Sequence, residues 1–225
     1  MLTAIIVAGG NSRRMGFDKT FALIGGKSVI AHSIAAFEAA ASVTEIILVG
    51  REERLKEIEG IVAGERFAKV RAIVAGGTHR QDSVSNGLGR LGPDAKYVAV
   101  HDAARPLVTP EQIERVFEQS RRTGAAALAS PVRDTLKKAD ANHLVCGSIS
   151  RDRVYAMETP QIFARDVLVQ AYDRVAANQI SITDEVSAVE ELNHKVVLVP
   201  NESVNFKITY PADLPLVEFI LLNQK

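Results

Sequence analysis

A glycine-rich, cationic segment from Ala8 to Lys19 follows directly after a short apolar run of β-branched residues. Gly9 and Gly10 let the backbone approach an anion closely and aim N–H groups at it, and Arg14 and Lys19 add positive charge. An ordinary loop with surface cations is the alternative, because glycine pairs often follow strands. The combination of glycines and cations nevertheless favours a loop that binds the phosphates of a nucleotide.

A second polar group, His101-Asp-Ala-Ala-Arg-Pro106, follows another predicted strand. A carboxylate at the end of a strand suits Mg²⁺, which prefers carboxylate and phosphate oxygen, so Asp102 is the candidate metal ligand. Arg105 either faces a phosphate or forms a structural ion pair with Asp102. We expect His101 to pack inside the protein.

Lys207 lies among apolar neighbours in the β-like run Asn205–Thr209, where a lysine usually extends to water. Arg80–Ser83 and Ser181–Glu185 each resemble a helix cap. Neither stretch, nor Lys207 by itself, predicts a function.

The chain lacks the residues of covalent catalysis, since its 5 His and 1 Cys form no nucleophile pair and no GxSxG or HExxH motif. Transfer between phosphates needs no protein nucleophile, because a phosphate monoester with a second pKa near ~6 is already anionic. Such a reaction instead requires cations, backbone amides and a metal that hold two polyanions in line. Two other motifs, Gly87–Gly92 and Gly25–Ser28, lack the context of nucleotide loops.

Composition limits the classes of protein that remain. The 27 Lys and Arg balance the 27 Asp and Glu, which argues against nucleic-acid or anionic-membrane binding. The only cysteine, Cys146, excludes an intrachain disulfide, and the N-terminal apolar run Leu2–Ala8 is too short for a membrane span. We expect a cytoplasmic protein with one domain over residues 1–225.

Strands alternate with helices, which predicts an α/β fold with a mostly parallel sheet and helices on both faces. The predicted strands are Thr3–Val7, Glu45–Val49, Val70–Val74, Tyr97–Val100, Ala125–Ala129 and Lys195–Val199. The predicted helices are Ser28–Ala41, Arg51–Glu59, Thr109–Arg122, Arg165–Ala177, Asp184–Leu192 and one from about Pro211. Residues 131–155 depart from this alternation and indicate a hairpin excursion. Ligands of such folds bind at the carboxyl ends of the strands, where the polar groups lie.

The order of these motifs resembles the 2-C-methyl-D-erythritol 4-phosphate cytidylyltransferase family over nearly the whole chain. The matching segments are Ala8–Lys19, Arg80–Val84, His101–Pro106, Pro131–Thr135, Thr159–Gln161, Thr183–Glu185 and Asn205–Thr209. The resemblance implies a Rossmann-like fold with a protruding β-arm that forms a homodimer. It also implies attack of the methylerythritol 4-phosphate group on the α-phosphate of CTP, with release of pyrophosphate.

The resemblance further implies a role for each matching residue. Arg14 and Lys19 would stabilise charge on the triphosphate, Lys207 would contact the α-phosphate, and Asp102 would organise Mg²⁺ and substrate. The positions around cytosine and ribose are Ala8, Gly9, Gly76 and Ser83, and Gly10 is a further substrate-binding position. The positions facing the acceptor are Arg105, Thr135, Arg151, Thr159 and Thr183, with Arg151 reaching from the partner's arm.

The loop also departs from the family pattern, because Asp18 stands before Lys19 where the family usually has proline. The same loop resembles the molybdenum cofactor guanylyltransferases, whereas the later motifs favour CTP. A pentitol phosphate cytidylyltransferase would share the architecture and differ in the acceptor pocket. A nucleotide-binding regulatory protein without turnover is a hypothesis of a different class.

Overall fold

A central seven-stranded sheet with helices on both faces makes up most of the computed structural model, which describes residues 1–10 and 15–223. The strands are β1 Leu2–Ala8, β2 Leu23–Ile24, β3 Lys27–Ser28, β4 Val43–Gly50, β5 Val70–Ala75, β6 Tyr97–Asp102, β7 Ala125–Pro131, β8 Leu136–Ala139, β9 Val145–Ile149, β10 Tyr155–Ala164 and β11 Val197–Pro200. The helices are α1 Val29–Ala39, α2 Leu55–Glu65, α3 Arg80–Leu88, α4 Pro110–Thr123, α5 Arg165–Ala177, α6 Glu185–Glu190 and α7 Asp213–Asn223.

The sheet has the strand order β11-β7-β10-β6-β1-β4-β5. Strand β1 pairs in parallel with β4 and β6, β4 with β5, and β7 with β11. Only β10, among the described strands of this sheet, runs antiparallel to its neighbours. The predicted α/β fold with a mostly parallel sheet is therefore confirmed.

Strand β10 was not predicted from the sequence. Pro160 interrupts it, and proline cannot donate a hydrogen bond to the ladder, so the segment does not have the pattern of a central strand. The pairing of β10 with β7 accommodates the interruption through a register shift between Met157 and Gln161. Sequence alternation is therefore a poor guide here.

The two faces of β1 are buried under different helices, in keeping with the burial of every residue of this strand. Ile6 belongs to the core that contains Ile34 of α1 and Val116 of α4. Ile5 belongs to the core on the other face, with Val84 of α3 and Leu168 of α5. Packing on both sides thus fixes the strand whose carboxyl end leads into the glycine loop.

Helix boundaries follow the capping signals of the sequence. Thr109 and Gln112 form the reciprocal hydrogen bonds of a capping box at the start of α4. Asp184 accepts from the Ser187 N–H at the start of α6, and the predicted charged helix begins as a single 3₁₀ turn at Glu52–Arg54 before α2. These caps confirm the predicted starts of α4 and α6. The bounds predicted for the charged helix, Arg51–Glu59, were wrong, because α2 spans Leu55–Glu65 and no side chain caps it or the 3₁₀ turn before it.

The excursion at residues 131–155 is a hairpin of β8 and β9, which form a separate two-stranded sheet. Its base is closed by the pairing of Tyr155 with Pro131. Leu144 and Val145 near the tip are exposed, and the predicted excursion is confirmed. Its use in a dimer stays a prediction.

The prediction of a β-like run at Asn205–Thr209 was wrong, because no residue of this segment is part of a strand. The Ile208 N–H donates to the Ala104 carbonyl, and Arg105 donates to the Asn205 carbonyl. These contacts to the loop after β6, rather than a ladder, hold the segment. The described part of the chain has no helix that is both long and apolar enough to cross a membrane.

Candidate functional site

A cavity of about 500 Å³ opens at the carboxyl ends of β1 and β6. Seven of the predicted site residues line it: Ala8, Gly9, Gly10, Lys19, Ser83, Asp102 and Lys207. Residues from four separate parts of the chain therefore meet at the edge where an α/β sheet binds its ligands.

One wall of the cavity is built around the Ser83 hydroxyl. This hydroxyl donates to the His79 carbonyl at 3.2 Å and accepts from the Gly77 N–H at 3.1 Å. A Cβ atom added at Gly76 would lie 2.7 Å from the Ser83 oxygen, and one at Gly9 would lie 3.2 Å from it. Gly76 is thus required by the close approach of α3, which brings Ser83 between the loops that follow β1 and β5.

Asp102, the last residue of β6, holds cations on both carboxylate oxygens. Its Oδ1 accepts from Arg80 Nε at 3.0 Å, and its Oδ2 accepts from Lys207 Nζ at 2.7 Å. Burial would raise the pKa of Asp102, but the charges of Arg80 and Lys207 outweigh burial and hold that pKa well below its usual range. Asp102 is therefore ionised, and its ion-pair partners are Arg80 and Lys207 rather than Arg105.

Arg105 points toward the backbone of neighbouring segments. Its guanidinium donates to the Asn205 carbonyl at 2.7 Å and to the Met157 carbonyl at 3.2 Å. Burial lowers the pKa of Arg105. The arginine thus ties the segment that carries Lys207 to β10.

A buried carboxylate strengthens the same attachment. Glu158 accepts from Asn205 Nδ2 at 3.2 Å and from Asn201 Nδ2 at 2.9 Å, and it is also bonded to Ser130. These bonds anchor both ends of the irregular segment before Lys207. The position of Lys207 is set by long-range polar contacts that motif spacing does not reveal.

Lys19 also lines the cavity, in a single 3₁₀ turn that Asp18 caps through the Thr20 N–H. Asp18 also forms an ion pair with Arg51, the residue that follows β4. The Lys19 Nζ donates to the Ile208 carbonyl at 2.5 Å, one residue beyond Lys207. Asp18, at the position where proline was expected, therefore holds the turn that carries Lys19 through its cap and its ion pair.

Arg80 is the main functional candidate that motif reasoning missed. It lines the cavity, and its two terminal nitrogens donate to Glu185 at 2.7 and 3.0 Å. Arg80 and Glu185 lie in two segments that carry the family resemblance, but from the sequence each segment looked like a helix cap. Only the contact of Arg80 with Asp102, and of Glu185 with Arg80, signals a role.

The remaining predicted residues do not line the cavity. Thr159 is buried behind Asp102, where its hydroxyl accepts from the Asp102 N–H at 3.1 Å. Thr135 and Arg151 are exposed at the base of the hairpin, and Thr183 is exposed before α6. Arg14 lies outside the described residues. Substrate contacts by these side chains stay predictions.

Residues 1–10 and 15–223 contain no cluster of three or more His, Cys, Asp or Glu that could hold a metal ion. Mg²⁺ is commonly bound through one or two carboxylates together with substrate phosphates, so a preformed cluster is not required. An ionised carboxylate has about four lone-pair positions, of which the two bonds to Arg80 and Lys207 leave others free. Asp102 therefore fits a metal that arrives with a triphosphate.

His101 packs internally, as expected. Its Nδ1 lies 2.8 Å from the Thr159 hydroxyl, its Nε2 lies 3.2 Å from the Arg105 carbonyl, and its ring contacts Phe37. Burial lowers the pKa of His101 to about 3. The neutral ring thus supports the strand end that carries Asp102.

This burial predicts a pH-dependent stability. Because the folded pKa lies below the unfolded value, only the unfolded chain binds a proton to His101 between about pH 6.5 and pH 3. The stabilisation is complete above the unfolded pKa and is lost as the pH falls. Urea denaturation should show that wild type loses about 2 kcal/mol more than His101→Gln between pH 7 and pH 5. Equal losses in the two proteins would show that His101 titrates normally when folded.

Fold and cavity together define an α/β protein of the nucleotide-binding type, with glycine loops and cations around one ionised carboxylate. The model of the 2-C-methyl-D-erythritol 4-phosphate cytidylyltransferase family matches residues 2–223. The chain belongs to this family and is a nucleotidyltransferase.

Individual proteins are similar over the same length. The enzyme of this name from Dehalococcoides mccartyi (strain CBDB1) is 41% identical, covering 97% of this chain and 95% of that protein. The one from Halalkalibacterium halodurans is 36% identical, covering 99% and 98%. The structure of 4-diphosphocytidyl-2C-methyl-D-erythritol synthase from Anaerococcus prevotii superposes with a TM-score of 0.86 at 29% identity, covering 99% and 96%. The cytidylyltransferase structure from Thermus thermophilus superposes with a TM-score of 0.79 at 28% identity, covering 97% and 98%.

Proposed function

We propose that this chain transfers the cytidylyl group of CTP to 2-C-methyl-D-erythritol 4-phosphate in isoprenoid precursor biosynthesis. A phosphate oxygen of the acceptor attacks the α-phosphorus of CTP. The bond from this phosphorus to the oxygen that bridges to the β-phosphate breaks, and pyrophosphate leaves. The observation that supports this reaction best is the cavity in which Lys19 and Lys207 lie around the ionised Asp102.

The proposed roles divide along the cavity. Ala8 at the end of β1, Gly9 and Ser83 line the cavity and would face cytosine and ribose, together with Gly76, which packs against Ser83. Gly10 would offer its backbone amide to the triphosphate. Lys19 and Arg14 stabilise negative charge that shifts to the leaving pyrophosphate, and Lys207 stabilises charge at the α-phosphate. Asp102 would hold Mg²⁺, which supplies further charge neutralisation to the phosphates when bound.

We assign the acceptor to the side of Asp102 that faces the hairpin. The residues proposed for it are Arg105, Thr135, Arg151, Thr159 and Thr183. The exposed positions of Thr135 and Arg151 at the hairpin base support an acceptor site completed by the arm of a second copy. We further propose that the enzyme is a homodimer and acts in the cytoplasm.

The decisive experiment measures pyrophosphate release from each of the four nucleoside triphosphates. Methylerythritol phosphate, ribitol phosphate and molybdopterin are offered in turn as acceptors. We expect release with CTP and methylerythritol phosphate. Release only with GTP and molybdopterin would overturn the proposal, and a preference for ribitol phosphate would move it to the pentitol phosphate enzymes. Binding without turnover would indicate a regulatory protein instead.

Arg151→Ala should raise the Michaelis constant for methylerythritol phosphate at least ~10-fold and that for CTP much less, because a cation that contacts one phosphate contributes about 1.5–3 kcal/mol. The matched control is Arg153→Ala, an exposed arginine of the same hairpin base. Steady-state kinetics with each substrate varied in turn separates the two constants. An equal rise in both would argue against an acceptor-site role for Arg151.

A further inference from the structure

We propose that Arg80 and the buried Glu185 form a positioning pair that holds the Asp102 carboxylate in place during the reaction. The pair joins three elements, because Arg80 begins α3, Glu185 begins α6 and Asp102 ends β6. The inference rests on the proposed function, because the rate that the pair would affect is that of the proposed cytidylyl transfer.

The guanidinium group of Arg80 donates hydrogen bonds to two carboxylates, those of Glu185 and Asp102. Both terminal nitrogens face Glu185, at 2.7 and 3.0 Å, which leaves Nε to donate to Asp102 Oδ1 at 3.0 Å. The planar fork of arginine allows these bonds at once, whereas a lysine ammonium does not match a bidentate carboxylate. Glu185 therefore fixes the orientation in which Arg80 meets Asp102.

Glu185 is itself held without freedom. Its side chain is 0% exposed, and Tyr172 donates to its Oε1 at 3.0 Å. The backbone N–H groups of Glu185 and Val186 both donate to Gln161 Oε1 at 3.1 Å. Burial and the Glu185 charge raise the pKa of Tyr172, so its hydroxyl remains a donor. Strand β10 thus aligns α6, and α6 presents Glu185 to Arg80.

The pair matters most when Lys207 leaves Asp102. Lys207 occupies Asp102 Oδ2 at 2.7 Å, yet the proposed reaction needs this ammonium at the α-phosphate. When it moves, Arg80 still holds Oδ1 and keeps the carboxylate aimed at the cavity. A displacement of a catalytic group by about 1 Å can lower the rate ~100-fold, so the restraint that Arg80 places on Asp102 is significant.

Glu185 also limits what the Arg80 charge does. Arg80 lines the same cavity as Lys19, where an uncompensated guanidinium would attract the triphosphate away from its proper place. Because Glu185 is fully buried and forms a 2.7 Å ion pair with Arg80, the two opposite charges cancel locally. The net positive charge that the substrate meets then comes from the lysines.

The test uses Arg80→Met, Glu185→Gln and the double variant, with Glu190→Gln as control for the same change at the exposed end of α6. Arg80→Met leaves a buried carboxylate unpaired and should lower Tm on the order of 10 °C, while the double variant should recover most of this loss. The kcat with CTP and methylerythritol phosphate should fall about 10-fold in each single variant, and the double variant should be no faster than Arg80→Met. The Glu190→Gln control should match wild type.

Recovery of kcat together with Tm in the double variant would show a purely structural pair and overturn the proposal, as would a normal kcat in Glu185→Gln. Should these variants not fold, Tyr172→Phe takes their place, with a kcat about 3-fold below wild type expected and an unchanged kcat contradicting the proposal. If wild type itself releases no pyrophosphate, the proposed function fails separately. The pair is then tested by measuring the affinity for CTP by calorimetry. An affinity at least ~3-fold weaker in Glu185→Gln than in wild type would support the positioning pair, and equal affinities would overturn it.

Discussion

Replacing Lys207 with alanine is expected to lower the turnover of CTP and methylerythritol phosphate by at least ~100-fold, because it removes a cation aimed at charge that develops in the transition state. The lysine is well placed for this role. Its ammonium lies 2.7 Å from Asp102, and Arg105 and Glu158 fix the segment that carries it.

The matched control for this prediction is Lys27→Ala. Lys27 is an exposed lysine that pairs with Glu65 at 2.8 Å, outside the cavity. Steady-state measurements of pyrophosphate release should show near-normal turnover in the Lys27→Ala control. Near-normal turnover in Lys207→Ala as well would remove Lys207 from the mechanism. Thermal denaturation of both variants separates a loss of chemistry from a loss of folding.

Lys19→Ala should also lower turnover by at least ~100-fold, for the same electrostatic reason at the leaving pyrophosphate. Lys19 reaches the cavity from a 3₁₀ turn and contacts the Ile208 carbonyl, next to Lys207. The two lysines thus reach the same cavity from different parts of the chain. A turnover within a few-fold of wild type would contradict the role given to Lys19.

Asp18→Asn provides a graded test of the same prediction. It keeps an oxygen that can cap the Thr20 N–H but weakens the ion pair with Arg51. We expect turnover between those of wild type and Lys19→Ala, since the lysine stays but its turn is held less firmly. Turnover as low as that of Lys19→Ala would indicate that Asp18 acts in another way.

Several parts of the fold could be predicted because local physics determines them. The apolar β-branched run of β1 predicts a buried strand wherever it lies, and Thr109 with Gln112 marks a helix start through contacts only three residues apart. Strand β10 could not be predicted, because Pro160 interrupts its pattern and the strand is defined by its pairing with β7, which is distant in sequence from most of it. The segment at Asn205–Thr209 looked like a strand, but the polar bonds that hold it come from distant residues.

The amino-acid sequence by itself determined the class of chemistry: glycine loops, two lysines and one carboxylate after predicted strands indicate a site for two anions, and their order indicates the family. Only the tertiary structure decided which charges meet. Asp102 pairs with Arg80, 22 residues away, rather than with Arg105, and Glu185, 105 residues from Arg80, completes the cluster. Spacing along a chain reveals contacts within one turn or strand, whereas ion pairs between elements depend on how the sheet and its helices pack.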